Sequence, residues 1–268
     1  MSLEIPKNHP RYQSLLIRER IIEGCHAGVV AEAGLIAHGR GEAFDYLLGE
    51  RTGDFALEAI RAAACAFLVA RRPIISVNGN VAALCAKELV QLSRAAHAPL
   101  EVNLFYRTEA REHAVERRLR DAGAEEVFGV GPAASGVIPE LGSDRRRVDP
   151  RGILVADLVF VPLEDGDRTE ALVEMGKQVV TVDLNPLSRT AVRASITIVD
   201  NILRALPKLI NVVLELSSGP RAALEDILAG YDNARVRGRS LTAIAERLTG
   251  LSLGSDRSAG RSGQEATW

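Results

Sequence analysis

Lysine is nearly missing from this chain: Lys7, Lys87, Lys177 and Lys208 stand against 33 lysines and arginines together. A positive charge that meets phosphate here is therefore usually a bidentate guanidinium. Cysteine is scarce too. Cys25, Cys65 and Cys85 are widely separated and contain no C-x-x-C pair, which argues against a disulfide framework or a thiolate metal site and predicts reduced core residues. No apolar run approaches the ~18 residues of a membrane span, and no signal segment precedes Ile5, so the expectation is a cytoplasmic protein with no membrane partner. A net charge of -2 gives no electrostatic case for nucleic acid. Also absent are an H-x-x-x-H metal pair, an EF-hand spacing, an obvious histidine-paired nucleophile and any internal repeat. Gly39-Arg-Gly41 fails the dinucleotide fingerprint because Phe44 takes the third glycine position.

What is present is the patterning of a layered α/β protein. The 268 residues, 47% apolar and 25% charged, suffice for one sizeable core. Short apolar runs at 74–77, 100–105, 124–130, 158–162, 179–182 and 196–199 read as strands. Between them lie helical patterns at 54–70, 81–96, 109–122 and 168–175, and a further helix is expected over 202–216. Such alternation predicts a mostly parallel sheet with helices on both faces. The expected organisation is a single domain over 1–250, with an N-terminal helical arm over 1–30, C-terminal helices over 202–250 and a disordered tail over 251–268. Residues 131–152, rich in glycine, proline and serine, form a long excursion that suits a lid or an oligomer contact. The basic run Arg145-Arg-Arg147 within it is expected to be solvated.

Each strand ends in polar residues, and in open α/β sheets ligands bind beyond the carboxyl ends of the strands. Asp183, Asn185, Asp200 and Asn201 are placed to grip a ribose, with Arg189 between them for phosphate. Asn78 and Asn80 either orient a substrate carboxylate or simply make a turn and a helix cap. Asp165 and Asp167, with Glu164, suit Mg²⁺ shared with substrate phosphates, or else cap the following helix. Arg18 falls on the inward face of the first helix, either pairing with a carboxylate or reaching an anionic ligand. Gly39 and Gly41 are read as a loop ahead of a helix starting near Glu42, whose first amides would receive an anion. Arg107 and Arg168 are candidates for a substrate phosphate. This inventory suits chemistry by positioning and charge neutralisation better than covalent catalysis.

Six strings carry a resemblance: Ile5-Pro-Lys-Asn-His-Pro-Arg-Tyr12, the stretch 33–46 with Gly-Arg-Gly at its centre, Ser76-Val-Asn-Gly-Asn80, Asn103-Leu-Phe-Tyr-Arg107, Val161-Pro-Leu-Glu-Asp-Gly-Asp-Arg168 with its continuation to Ala171, and Val182-Asp-Leu-Asn-Pro-Leu-Ser-Arg189. Together they resemble archaeal phosphopantothenate synthetase, also called 4-phosphopantoate–β-alanine ligase, collinearly over 5–232. The resemblance implies a Rossmann-like homodimer that activates the 4-phosphopantoate carboxylate with ATP as an acyl-adenylate and passes it to β-alanine. It also implies ATP contacts at Arg18, Arg40, Asp183, Leu184, Asn185, Arg189, Thr190, Asn201 and Ile202, with Asp200 beside them. Arg40, Arg189, Asn78 and Asn80 are the candidates for catalytic roles, with Mg²⁺ assisting. The rival readings are a nicotinamide-dependent dehydrogenase, which lacks its glycine fingerprint here, and a non-catalytic nucleotide-binding protein.

Overall fold

The structure, a computed structural model, describes residues 5–252. Helices α1 (Tyr12–His26), α2 (Glu32–Leu48) and α3 (Asp54–Val69) precede β1 (Pro73–Val77), α4 (Gly79–Ala96), β2 (Leu100–Val102) and α5 (Glu109–Asp121). An antiparallel ribbon follows, β3 (Gly136–Val137) paired with β4 (Arg147–Val148). Then come β5 (Leu158–Phe160), α6 (Gly166–Glu174), β6 (Gln178–Val182), α7 (Arg189–Arg193) and β7 (Ile196–Ile198). Helices α8 (Ile202–Leu216), α9 (Arg221–Ala229) and α10 (Asn233–Ser252) finish the described chain.

Strands β2, β1, β5, β6 and β7 lie side by side in that order, every neighbouring pair parallel. This is the three-layer Rossmann-like α/β arrangement expected from the sequence. The strands read as unbroken apolar runs because both faces are covered. Their period of two divides the core: Ile75, Val77, Phe160, Val180 and Val182 join α3, α4 and α8, whereas Ile74, Val159, Val161 and Val179 join α6 and the 131–156 segment.

From β1 the chain crosses to β2 on one side, then returns to β5 on the other, so the strand order reverses between β1 and β5. Crevices open at such reversals. Asn78 ties this one together: its Nδ2 donates to the carbonyls of Pro162 and Leu163, both at 3.0 Å, while its Oδ1 accepts from the Val81 amide and caps α4. Leu163 sits at φ 53°, a left-handed conformation uncommon for leucine, and so turns the chain abruptly into Glu164. Two glycines let the N-terminal helices lie directly on α4. A Cβ on Gly79 would strike the Val29 carbonyl, and one on Gly34 would strike Asn80 Oδ1.

Several expectations are corrected. Gly39 and Gly41 lie inside the continuous helix α2, so their amides do not form an anion-binding helix start; the apolar pattern around them outweighs the roughly 1 kcal/mol cost of each glycine. Residues 124–130 make only an isolated parallel bridge at Phe128, because Gly129 turns away at φ 74°. Residues 6–11 form hydrogen-bonded turns, so within the helical arm expected over 1–30 the helix begins only at Tyr12. Arg145 of the basic run is buried while Arg146 and Arg147 are exposed. Leu57, expected in the buried stripe of α3, is exposed. Helix α10 continues to Ser252, and the remainder of the expected tail lies outside the described residues.

Candidate active site

The carboxyl ends of the strands open into a cavity of about 470 Å³, closed on its far side by α1 and α2. Arg40, Asp183, Leu184, Asn185, Asn201 and Ile202 all line it, as does Asn80. A loop after β6, a loop after β7 and helix α2, far apart in sequence, thus meet at one hollow. A second cavity of about 230 Å³ adjoins it, and Ala37, Arg40 and Asn80 belong to both.

The acidic groups are held firmly. Burial pushes the Asp183 carboxyl up, opposed by the Ser188 hydroxyl and by the Asn185 amide at 2.9 Å, with Arg40 favouring its charge. Ser188 Oγ also accepts from the Ala191 amide and caps α7. Asn201 caps α8 through its Oδ1 and donates its Nδ2 to Asp45 at 2.8 Å. Behind it, Arg204 lies between two carboxylates, with Nη2 at 2.5 Å from Asp45 and 2.7 Å from Asp200. Burial raises the Asp200 carboxyl despite Arg204, the Thr52 hydroxyl at 2.7 Å and the Asn201 amide at 2.7 Å. At the mouth, Glu42 receives the Tyr46 hydroxyl and Arg18; these outweigh its burial and hold its carboxyl below the ordinary value. Burial lowers the His38 imidazole, with Glu42 opposing the shift and Arg18 adding to it.

Arg40 differs from this network. It is exposed, lines both cavities, and among the described residues has no carboxylate within ion-pair distance and no hydrogen-bond acceptor. Its cationic fork is left open at the shared wall.

The other sequence candidates stand behind or beside the hollow. Arg18 donates to both oxygens of Glu42 at 3.0 and 3.1 Å. Arg189 is exposed and pairs with Asp167 at 3.3 Å and Glu170 at 2.5 Å. Thr190 is buried, its hydroxyl donating to the Glu164 carbonyl at 2.8 Å. The side chain of Asn78 is fully engaged in tying β1 to β5 and capping α4, so its part is to position the site. Arg107 pairs with Glu112 and donates to the carbonyls of Gly129 at 2.6 Å and Arg147 at 2.9 Å, lining neither cavity. Arg168 is wholly buried between Glu164 and Ser76. A substrate-phosphate role for Arg107 or Arg168 does not fit this placement. Both follow strand ends, as read from sequence, but each guanidinium turns back onto protein acceptors.

Asp165 and Asp167 do not form a metal pair. Asp165 faces Arg145 at 3.1 Å and Asp167 faces Arg189. No group of three acidic, histidine or cysteine side chains with metal-holding geometry occurs among the described residues. A divalent cation accompanying a triphosphate would have to rely chiefly on the phosphate oxygens and water, as Mg²⁺ commonly does.

Sequence reasoning missed Asp45, Arg204, Glu42 and Arg111. For Arg204 a signal existed: Asp200 and Arg204 repeat the acid-to-arginine i,i+4 spacing of Glu164 and Arg168, each bridging a strand end and the next helix. Asp45 gave none, since its partners lie far away in sequence, and Glu42 gave only the i,i+4 spacing to Tyr46.

The family model for phosphopantothenate/pantothenate synthetase matches residues 55–247. A 4-phosphopantoate–β-alanine ligase of Thermococcus kodakarensis is 56% identical over 250 residues, covering 93% of this chain and 95% of the relative. Its counterpart in Thermococcus onnurineus is 54% identical, covering 94% and 96%. That of Methanosarcina mazei is 50% identical, covering 91% and 96%. With the family model spanning most of the chain and the relatives nearly all of it, the chain belongs to the phosphopantothenate/pantothenate synthetase family.

Proposed function

We propose that this chain is an ATP-dependent ligase that joins the carboxylate of 4-phosphopantoate to the amine of β-alanine, with the nucleotide in the larger cavity and the acid in the smaller one. The observation that carries the reading is Arg40, an uncommitted guanidinium on the wall between two adjoining hollows. A nucleotide seated against Asp183, Asn185 and Asn201 would bring its phosphates toward that wall, and an acid beside Asn80 would bring its carboxylate there. The carboxylate oxygen attacks the α-phosphorus, the bond to the β-phosphate breaks, and pyrophosphate leaves. The amine of β-alanine then attacks the acyl carbon, loses a proton to water, and AMP departs as the C–O bond to phosphate breaks. Charge accumulates on the α-phosphate and the departing pyrophosphate, and a fixed guanidinium there stabilises it most when water is excluded. Arg18, paired with Glu42, and Arg189, paired with Asp167 and Glu170, would exchange those carboxylates for triphosphate oxygens.

The test is to incubate the chain with ATP, Mg²⁺, 4-phosphopantoate and β-alanine. AMP, pyrophosphate and 4'-phosphopantothenate in equal amounts support the reading. ADP in place of AMP replaces the acyl-adenylate by an acyl-phosphate, and no nucleotide turnover removes the ligase reading altogether.

A further inference from the structure

The smaller cavity has a chemistry of its own. Gly79 and Asn80 at the start of α4, Arg111 of α5, Arg145 and its partner Asp165 all line it. Around the strand ends the buried arginines are neutralised: Arg107 faces Glu112, Arg145 faces Glu164 and Asp165, Arg168 faces Glu164, and Arg204 faces Asp45 and Asp200. Arg111 is the exception among them. No carboxylate of the described residues lies within ion-pair distance of it; its Nη2 donates to the Val29 carbonyl at 3.1 Å and its Nη1 to the Tyr106 carbonyl, both neutral acceptors. Its Nε is buried without a partner. Among the described residues the backbone amides of Gly79 and Asn80 likewise have no acceptor, and Gly79 lies so close to Arg111 that a Cβ there would stand 3.0 Å from its Nη2. Burial, and then the charge of Arg145, push the Arg111 guanidinium down.

Such an arrangement is costly in a free protein and becomes favourable when an anion enters. We propose that the smaller cavity is a phosphate subsite, in which Arg111 and the amides of Gly79 and Asn80 hold the phosphomonoester of the acid substrate while Arg40 meets its carboxylate end. This rests on the ligase reading and adds to it the residue that distinguishes the phosphorylated acid from the same acid without phosphate. Discrimination of this kind is large, because the analogue lacking the group leaves buried donors unpaired.

The experiment compares kcat/KM for 4-phosphopantoate and for pantoate in the wild-type chain and in Arg111→Gln. Loss of one charge-assisted contact should lower kcat/KM for the phosphorylated acid by about tenfold or more. Turnover of pantoate and the KM for ATP should stay within about twofold, so that the preference for phosphate collapses. Arg111→Lys should restore part of it. A variant that loses both acids in equal proportion, or neither, overturns the subsite and leaves Arg111 as a strut between Val29 and Tyr106. Should the wild-type chain release no AMP, the ligase reading falls separately. The subsite is then decided by calorimetric titration of 4-phosphopantoate and inorganic phosphate into both chains without nucleotide: weaker binding to Arg111→Gln upholds it, and equal affinity overturns it.

Discussion

Replacing Arg204 with methionine tests the energetic account of the larger cavity most directly. Methionine keeps much of the length and apolar stem but removes the charge between Asp45 and Asp200, whose side chains are 9% and 0% exposed. Four hydrogen bonds or ion contacts from Arg204 to these carboxylates disappear together. Asp200 retains Thr52 and the Asn201 amide, and Asp45 retains Asn201 Nδ2, so two negative charges remain buried with neutral donors only. Breaking a buried ion pair on one side costs about 3–5 kcal/mol, because the remaining charge is left uncompensated. At ~2–4 °C per kcal/mol for a chain of this size, Tm should fall by roughly 6–20 °C. Calorimetry reads this, and equilibrium titration with ATP reads the second consequence: Asp45, the acceptor of the Asn201 amide, is no longer held by a guanidinium, so nucleotide affinity should fall as well. Adding Asp45→Asn and Asp200→Asn to the same chain should recover much of the lost Tm by removing the stranded charges. An Arg204→Met protein that melts within about 2 °C of wild type would refute the claim that this guanidinium neutralises the pair.

Arg40→Ala should lower turnover by about 100-fold with little change in Tm, since the side chain stabilises charge developing in the transition state and supports no fold contact; steady-state kinetics at saturating ATP checks it. Glu101, fully buried and bonded to the amides of Asp149 and Ile153, has its carboxyl pushed by burial from 4.5 up to about 7. The folded state therefore holds this proton more tightly than the unfolded chain, so the group's contribution is most favourable below about pH 4.5 and declines as pH rises through 7. Denaturant unfolding should show a stability loss on the order of 3 kcal/mol across that window which flattens in Glu101→Gln, whatever the variant's absolute stability; an unchanged slope would assign the titration elsewhere. Asp165→Asn and Asp167→Asn together should leave the Mg²⁺ concentration for half-maximal activity within about twofold of wild type, because both carboxylates face arginines. A tenfold rise in that concentration would restore them as metal ligands.

The sheet was legible in the sequence because each central strand is covered on both faces and therefore writes itself as a β-branched run, as at 179–182 and 196–198. Segment 124–130 also reads as a strand, yet only Phe128 pairs, opposite Glu101 and bonded to the backbone of Leu100 and Val102, and nothing local distinguishes one bridge from a ladder. The strand-end rule placed Asp183, Asn185 and Asn201 at a common hollow, since topology alone carries those positions there. It could not tell which strand-end arginines stay free. Arg107 and Arg168 are absorbed by Glu112 and Glu164, whereas Arg111, one turn into a charged helix, looked like an ordinary solvated residue. That distinction depends on neighbours contributed by distant segments. Likewise, Gly39 and Gly41 suggested a loop because glycine disfavours helices, but flanking turns that pack on α1 and α10 keep α2 continuous.

Helix α2 buries only Asp45 and Leu48 to any depth, yet Ala37 and Arg40 on it form a partition common to both hollows. A lightly anchored rod that serves two chambers makes them poor at acting independently. Whatever displacement one occupant imposes on the partition is felt by the other, and thermodynamic linkage requires the influence to run equally in both directions. A chain working as proposed would thereby register whether both chambers are filled, without any element dedicated to that task.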